Sequence, residues 1–146
     1  MPRSSLTRWV LLAALLSVPG CDAVDGGDDY ELDLAQVEFY DRGAEVDAPA
    51  SAAVGETFRV KITTYGGGCI LQGTTDVSAS DAGAELTPYD RYYVGDNDCT
   101  DDLRFYEHTA ELRFDAPGEK TIVVHGRRVD ADQDVVIEVP LTVRVE

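Results

Sequence analysis

Apolar and polar side chains alternate along much of the chain at a period of two, the pattern of strands with one buried and one wet face. The clearest run is 135–146, where Val135, Ile137, Val139, Leu141, Val143 and Val145 alternate with Glu138, Pro140, Thr142, Arg144 and Glu146. Pro140 cannot donate to a ladder, so it predicts an edge or a bulge. In 57–64, Phe58, Val60 and Ile62 point one way and Arg59, Lys61 and Thr63 the other. Val37 and Phe39 give a first strand, and Ile122 and Val124 share a face within 120–128. Short strands are predicted at 75–79 and 84–87, around the turn signal Asp81-Ala82-Gly83. In 103–114 the pairs Leu103/Phe105 and Leu112/Phe114 are out of register, which predicts a break near Glu107 or His108. Residues 41–55 read as a connection with a short edge strand near 52–54, and Gly66-Gly67-Gly68 as a bulge or a close backbone approach. No stretch has helical amphipathicity. The expected fold is an all-β, antiparallel β-sandwich of about seven strands. Its core is expected to be Val37, Phe39, Phe58, Val60, Ile62, Leu86, Leu112, Phe114, Ile122, Val124, Ile137, Val139, Leu141 and Val143.

The turn at 115–119 (DAPGE), followed by a β-branched strand, resembles the late strands of Ig-like domains. The resemblance is one of pattern over residues 37–146. The cysteine–tryptophan–cysteine spacing of those domains is missing, because the single tryptophan, Trp9, lies near the N-terminus.

The first twenty residues have a different character. Arg3 and Arg8 precede the apolar run 9–16 (WVLLAALL), and no acid occurs before Asp22. Ser17 and Val18 extend it to ten residues. Ten helical residues rise about 15 Å, roughly half a bilayer core, so the run is too short to span and reads as a signal-peptide core. It leads into Val18-Pro19-Gly20-Cys21, which resembles the lipobox of bacterial lipoprotein precursors. The resemblance implies cleavage before Cys21, acylation of Cys21, and a place in the bacterial cell envelope outside the cytoplasm. Two or more acyl chains give stable anchoring where one is marginal. A plain secretory leader cut after Ala23 is the alternative. The expected organisation is a signal peptide at 1–20, a lipid-anchored acidic tether at 21–29 and an Ig-like β-sandwich domain at 30–146.

The chain carries 28 acidic and 12 basic residues, a net charge of −16, and loss of Arg3 and Arg8 with the leader makes it −18. Such a surface repels nucleic acid and anionic headgroups, and it keeps an anchored domain off the membrane plane. Residues 22–29 (DAVDGGDD) have little to bury and read as a flexible tether.

Candidate chemistry is sparse. With Cys21 acylated, Cys69 and Cys99 remain, and export to an oxidising compartment implies that they pair. Two acidic loops offer hard oxygen ligands for calcium: 96–102, with Asp96, Asp98, Asp101 and Asp102, and 130–134. Neither has the glycine and glutamate positions of an EF-hand loop. Of the two histidines, His125 falls on a polar face. Ser51, Ser78 and Ser80 are not in a nucleophile motif. Tyr65, Tyr89, Tyr92, Tyr93 and Tyr106 surround the cysteine pair and are the candidate binding face. The expected function is a non-enzymatic, lipid-anchored envelope protein that binds or braces an unidentified partner. A calcium-dependent binding module is the alternative.

Overall fold

The computed structural model describes residues 29–96, 98–129 and 134–146, and its regular structure is entirely strand. In chain order the strands are β1 (Tyr30–Leu34), β2 (Gln36–Phe39), β3 (Glu45–Asp47), β4 (Ser51–Ala52), β5 (Thr57–Gly66), β6 (Ile70–Ser80), β7 (Gly83–Tyr93), β8 (Arg104–Arg113), β9 (Gly118–Val129) and β10 (Asp134–Val145). All ten belong to one curled sheet. The long hairpins β6–β7 and β9–β10 and the pair β5–β8 are antiparallel. Three pairings are parallel: β7 with β9, β2 with β9, and β4 with β10. The expectation of about seven antiparallel strands is therefore corrected to ten in a mixed sheet. The strands the sequence does not mark are the short ones at 30–34 and 45–47, whose length carries almost no periodic signal, and the short edge strand expected near 52–54 is found at 51–52.

The curl brings the inward faces of β5 and β8 onto those of β7, β9 and β10. Val60, Ile62, Leu86, Ala110, Leu112, Phe114, Ile122, Val124, Val143 and Val145 meet there, with Val37 contributed by β2. Phe58, Ile137, Val139 and Leu141 pack against this cluster from its margin. Burying each large member contributes about 1.5–3 kcal/mol before the entropy of ordering it is subtracted. Phe39 was expected in the core but lies outside it, stacked on Tyr65 at 6.2 Å between ring centroids.

One side of the curl is closed by β2, which joins β9 to β5. On the other, β6 meets β8 through side chains: Gln72 Nε2 donates to Glu107 O at 2.7 Å, and the Tyr106 hydroxyl donates to Ile70 O. The two short strands expected at 75–79 and 84–87 are parts of eleven-residue strands, β6 and β7, with a register shift between Gln72 and Thr75. Their turn is the one the sequence marks, Ser80 pairing with Gly83. A side chain at Gly83 would collide with the Thr121 backbone, so glycine is what lets β7 run beside β9.

The break expected near Glu107 or His108 is absent. β8 pairs with β5 without a shift from Thr57↔Arg113 to Gly66↔Arg104. Leu103 and Phe105 are out of phase with Leu112 and Phe114 because they face outward and stay largely exposed. Pro140 stands opposite Val123 in an unshifted ladder, on the strand's unpaired flank away from β9. It marks an edge.

Candidate functional site

Three strands end their inward-facing series on a polar residue at the same level of the curled sheet. Val60 and Ile62 lead to Thr64 on β5, Ala84, Leu86 and Pro88 lead to Asp90 on β7, and Phe114, Leu112 and Ala110 lead to His108 on β8. Thr64 and Asp90 are fully buried and His108 is 1% exposed. A carboxylate placed there needs donors, because an unpaired buried charge is very costly. Asp90 has three. Thr64 Oγ1 donates to Oδ2 at 2.8 Å, His108 Nε2 lies 2.9 Å from Oδ1, and the Gly73 N–H donates to Oδ1 at 3.3 Å. Toward an ionised Asp90, which accepts only, Nε2 is the donor. Nδ1 faces Thr75 Oγ1 at 2.9 Å. That hydroxyl donates to a neutral ring and accepts from a protonated one, so either state of the ring is satisfied.

Hydroxyl, imidazole and carboxylate stand in the order of a hydrolytic triad. A reacting carbonyl would need to reach the hydroxyl and the imidazole together, and the ring is almost sealed from solvent. What the arrangement does physically is bond β5, β6, β7 and β8 to one another at one end of the core. The sequence carries the signal for it. Thr64, Asp90 and His108 share the even parity of the inward-facing residues in their own series, and the supposed break in β8 hid that parity for His108. The opposite end of the core is closed by Lys120, 5% exposed, whose Nζ donates to Asp81 O at 2.6 Å.

Beyond the polar end lies the disulfide. Cys69 and Cys99 are bonded, with 5.2 Å between their Cα atoms. The five tyrosines expected to form one binding face around this bond do not share a face. Tyr65 is fully buried between Phe39 and Phe105 and its hydroxyl reaches Gly43 O at 3.4 Å, so it offers no recognition surface. Tyr92 lies half-buried beneath the Arg127 guanidinium, 4.9 Å from the ring centroid, with its hydroxyl 3.4 Å from Leu34 O. Burial pushes the Tyr92 phenol up, against the opposing pull of Arg127. Burial also raises the phenol of Tyr106. Tyr93 turns outward and packs edge-on against Tyr30, with centroids 5.3 Å apart. Tyr89 is half-buried opposite Leu34.

The acidic loop beside Cys99 is already engaged. Asp102 accepts from Thr100 Oγ1 and pairs with Arg104 Nε at 2.6 Å, and these bonds hold its carboxyl below the usual carboxylate range. Among the described residues, Asp96, Asp98 and Asp101 included, no three histidine, cysteine, aspartate or glutamate side chains converge into a metal-holding group. Residues 130–133 of the second acidic loop and residues 1–28, which hold the expected leader, the expected lipidation site Cys21 and most of the expected tether, lie outside the described residues. His125 is on the outer face, as alternation places it, with Nε2 3.8 Å from Glu85 and Nδ1 3.7 Å from Glu138. No protein-family model, curated protein or solved structure matches this chain.

Proposed function

We propose that this chain is a lipid-anchored protein of the bacterial cell envelope. Its β-domain works outside the cytoplasm as a non-enzymatic binding or bracing module, and its fold is kin to Ig-like sandwiches. The observation that carries the reading is the Cys69–Cys99 bond. It uses two of three cysteines, and the third is Cys21 at the lipobox position. Such a bond persists in oxidising compartments and is rare in the cytosol. The basic residues Arg3 and Arg8 and the short apolar run before Cys21 support export in the same sense. The rigid domain adds support: a braced, cross-linked sandwich presents loops at fixed positions, the usual way such domains recognise partners. The net charge of −16 sets the partner class against nucleic acid. Support for the Ig-like kinship is the packing of the β5 and β8 faces on β7, β9 and β10 around one core, with the Pro117-Gly118 turn entering β9.

Mass spectrometry of the native N-terminus tests the anchor. The expected result is a chain beginning at an acylated Cys21, and a Cys21→Ala variant that leaves the membrane fraction. An unmodified thiol, or a variant that still sediments with membranes, overturns the proposal.

A further inference from the structure

The outer face of β7 changes character along its length. At the Gly83 end it is bordered by Ser78, Ser80, Glu85 and Thr121. At the Tyr93 end it turns apolar. Leu32 on β1 and Leu71 on β6 both stand directly opposite Arg91, so all three share one face. Leu32 is 54% exposed and Leu71 37%. Tyr30 and Tyr93 extend the patch, and the Arg91 guanidinium lies over the Tyr30 ring at 5.2 Å. Gly73 keeps the patch continuous: a β-carbon there would press on Leu32 Cδ1, so its absence lets Leu32 reach across β7 towards β6. Val94, 55% exposed, borders the patch, and its N–H donates to Asp29 O at 2.6 Å.

That last bond locates the patch. Asp29 is where the described chain begins, and seven residues lie between it and Cys21. The eight steps from Cys21 to Asp29 span at most about 28 Å in any conformation. Tyr30 and Leu32 immediately follow, so an acylated Cys21 holds this face within reach of the bilayer at all times. Tethering at that length makes contact effectively intramolecular, at millimolar local concentration, so a patch too small to bind lipid alone suffices. Its composition is that of the interfacial zone, with tyrosines and an arginine beside aliphatic side chains.

We propose that the face formed by Tyr30, Leu32, Leu71 and Tyr93 lies against the headgroup region of the membrane, orienting the domain so that its Ser80–Gly83 and Asp115–Gly118 turns point away from the bilayer. This rests on the anchor reading above. It narrows the expectation from net charge: the whole surface repels anionic lipid, while among the described residues the charged side chain that the strand register sets between Leu32 and Leu71 is Arg91. Zwitterionic lipid is the occupant.

The test uses the mature acylated protein in phosphatidylcholine vesicles. Cleavage of the leader removes Trp9, the only tryptophan, so Leu32→Trp, Leu71→Trp and, at the opposite end, Val54→Trp are each single reporters. With lipids brominated near the glycerol end of the chain, emission from positions 32 and 71 is expected to shift to the blue and to be quenched, while position 54 is unaffected. Two reporters from separate strands guard against one variant misfolding, and a melting temperature near that of the parent qualifies each. Unquenched emission at 32 and 71 in protein that floats with the vesicles overturns the orientation and leaves the anchor standing. A blue shift without quenching also overturns it, in favour of a second copy or another protein on this face. Failure to float, with no acyl mass on Cys21, overturns the anchor itself.

Discussion

Replacing Asp90 by alanine removes the acceptor on which the polar end of the core converges. Thr64 Oγ1 and His108 Nε2, at 2.8 and 2.9 Å, would be left without partners in buried surroundings. Each orphaned buried group costs about 1–3 kcal/mol, so the change is expected to remove about 2–6 kcal/mol. A domain of this size has a total stability of order 5–15 kcal/mol. Thr64→Val is the graded companion. It deletes one hydroxyl and leaves the carboxylate its bonds from His108 and Gly73, for a cost of about 1 kcal/mol. Urea unfolding followed by far-ultraviolet circular dichroism, on a chain carrying Cys21→Ser to avoid acylation, gives both values from the midpoints if the slope is unchanged. The double variant Asp90→Leu/His108→Leu is expected to lose less than the sum of its single changes, because it removes both members of the pair at once. Asp90→Ala costing under about 1 kcal/mol, or strict additivity of the leucine changes, would refute the brace.

Reduction, or Cys69→Ser with Cys99→Ser, opens a loop with a sequence separation of 30 and is expected to cost about 3–4 kcal/mol, read in the same urea assay. Tyr92 and Tyr106 hold their protons beyond the pH at which unfolded tyrosine ionises. Their contribution is therefore complete below the ordinary phenol value of about 10 and is lost as pH rises through the raised folded values. The melting temperature is expected to fall across that alkaline window, and less steeply in Tyr92→Phe. Millimolar calcium is expected to leave the melting temperature unchanged, since Asp102 is committed to Thr100 and Arg104; a rise by mass action would show that an acidic loop takes the ion.

Strands with one apolar and one polar face were legible in the sequence. β5, β9 and β10 follow their alternation, and Val60, Ile62, Ile122, Val124 and Val143 are buried where parity puts them. β6 was legible only at 75–79; its first half, 70–74, contains the start of the register shift between Gln72 and Thr75 and shows no steady alternation of covered and exposed positions for period two to report. Phe39 and Phe105 misled for the opposite reason. Both are apolar on the outer side, where they gather round Tyr65 and form a small cluster separate from the core. The buried polar group was hidden by its chemistry: aspartate and histidine default to the surface, and only the partners that other strands bring to them make burial tolerable. Parallel pairing of β7 with β9 depends on Gly83, and a lone glycine at a turn does not announce which strand it admits.

Pro140 has a consequence for molecules living side by side. β10 is twelve residues long and meets β4 only at Arg144 and Val145, so, among the described residues, the rest of its outer flank has no strand beside it and offers amides and carbonyls to any passing chain. A neighbour of the same kind would be the commonest visitor wherever copies are crowded into two dimensions. The ring at position 140 withholds a donor midway along that flank and interrupts a zipper before it can propagate, so high local density need not become fibre growth.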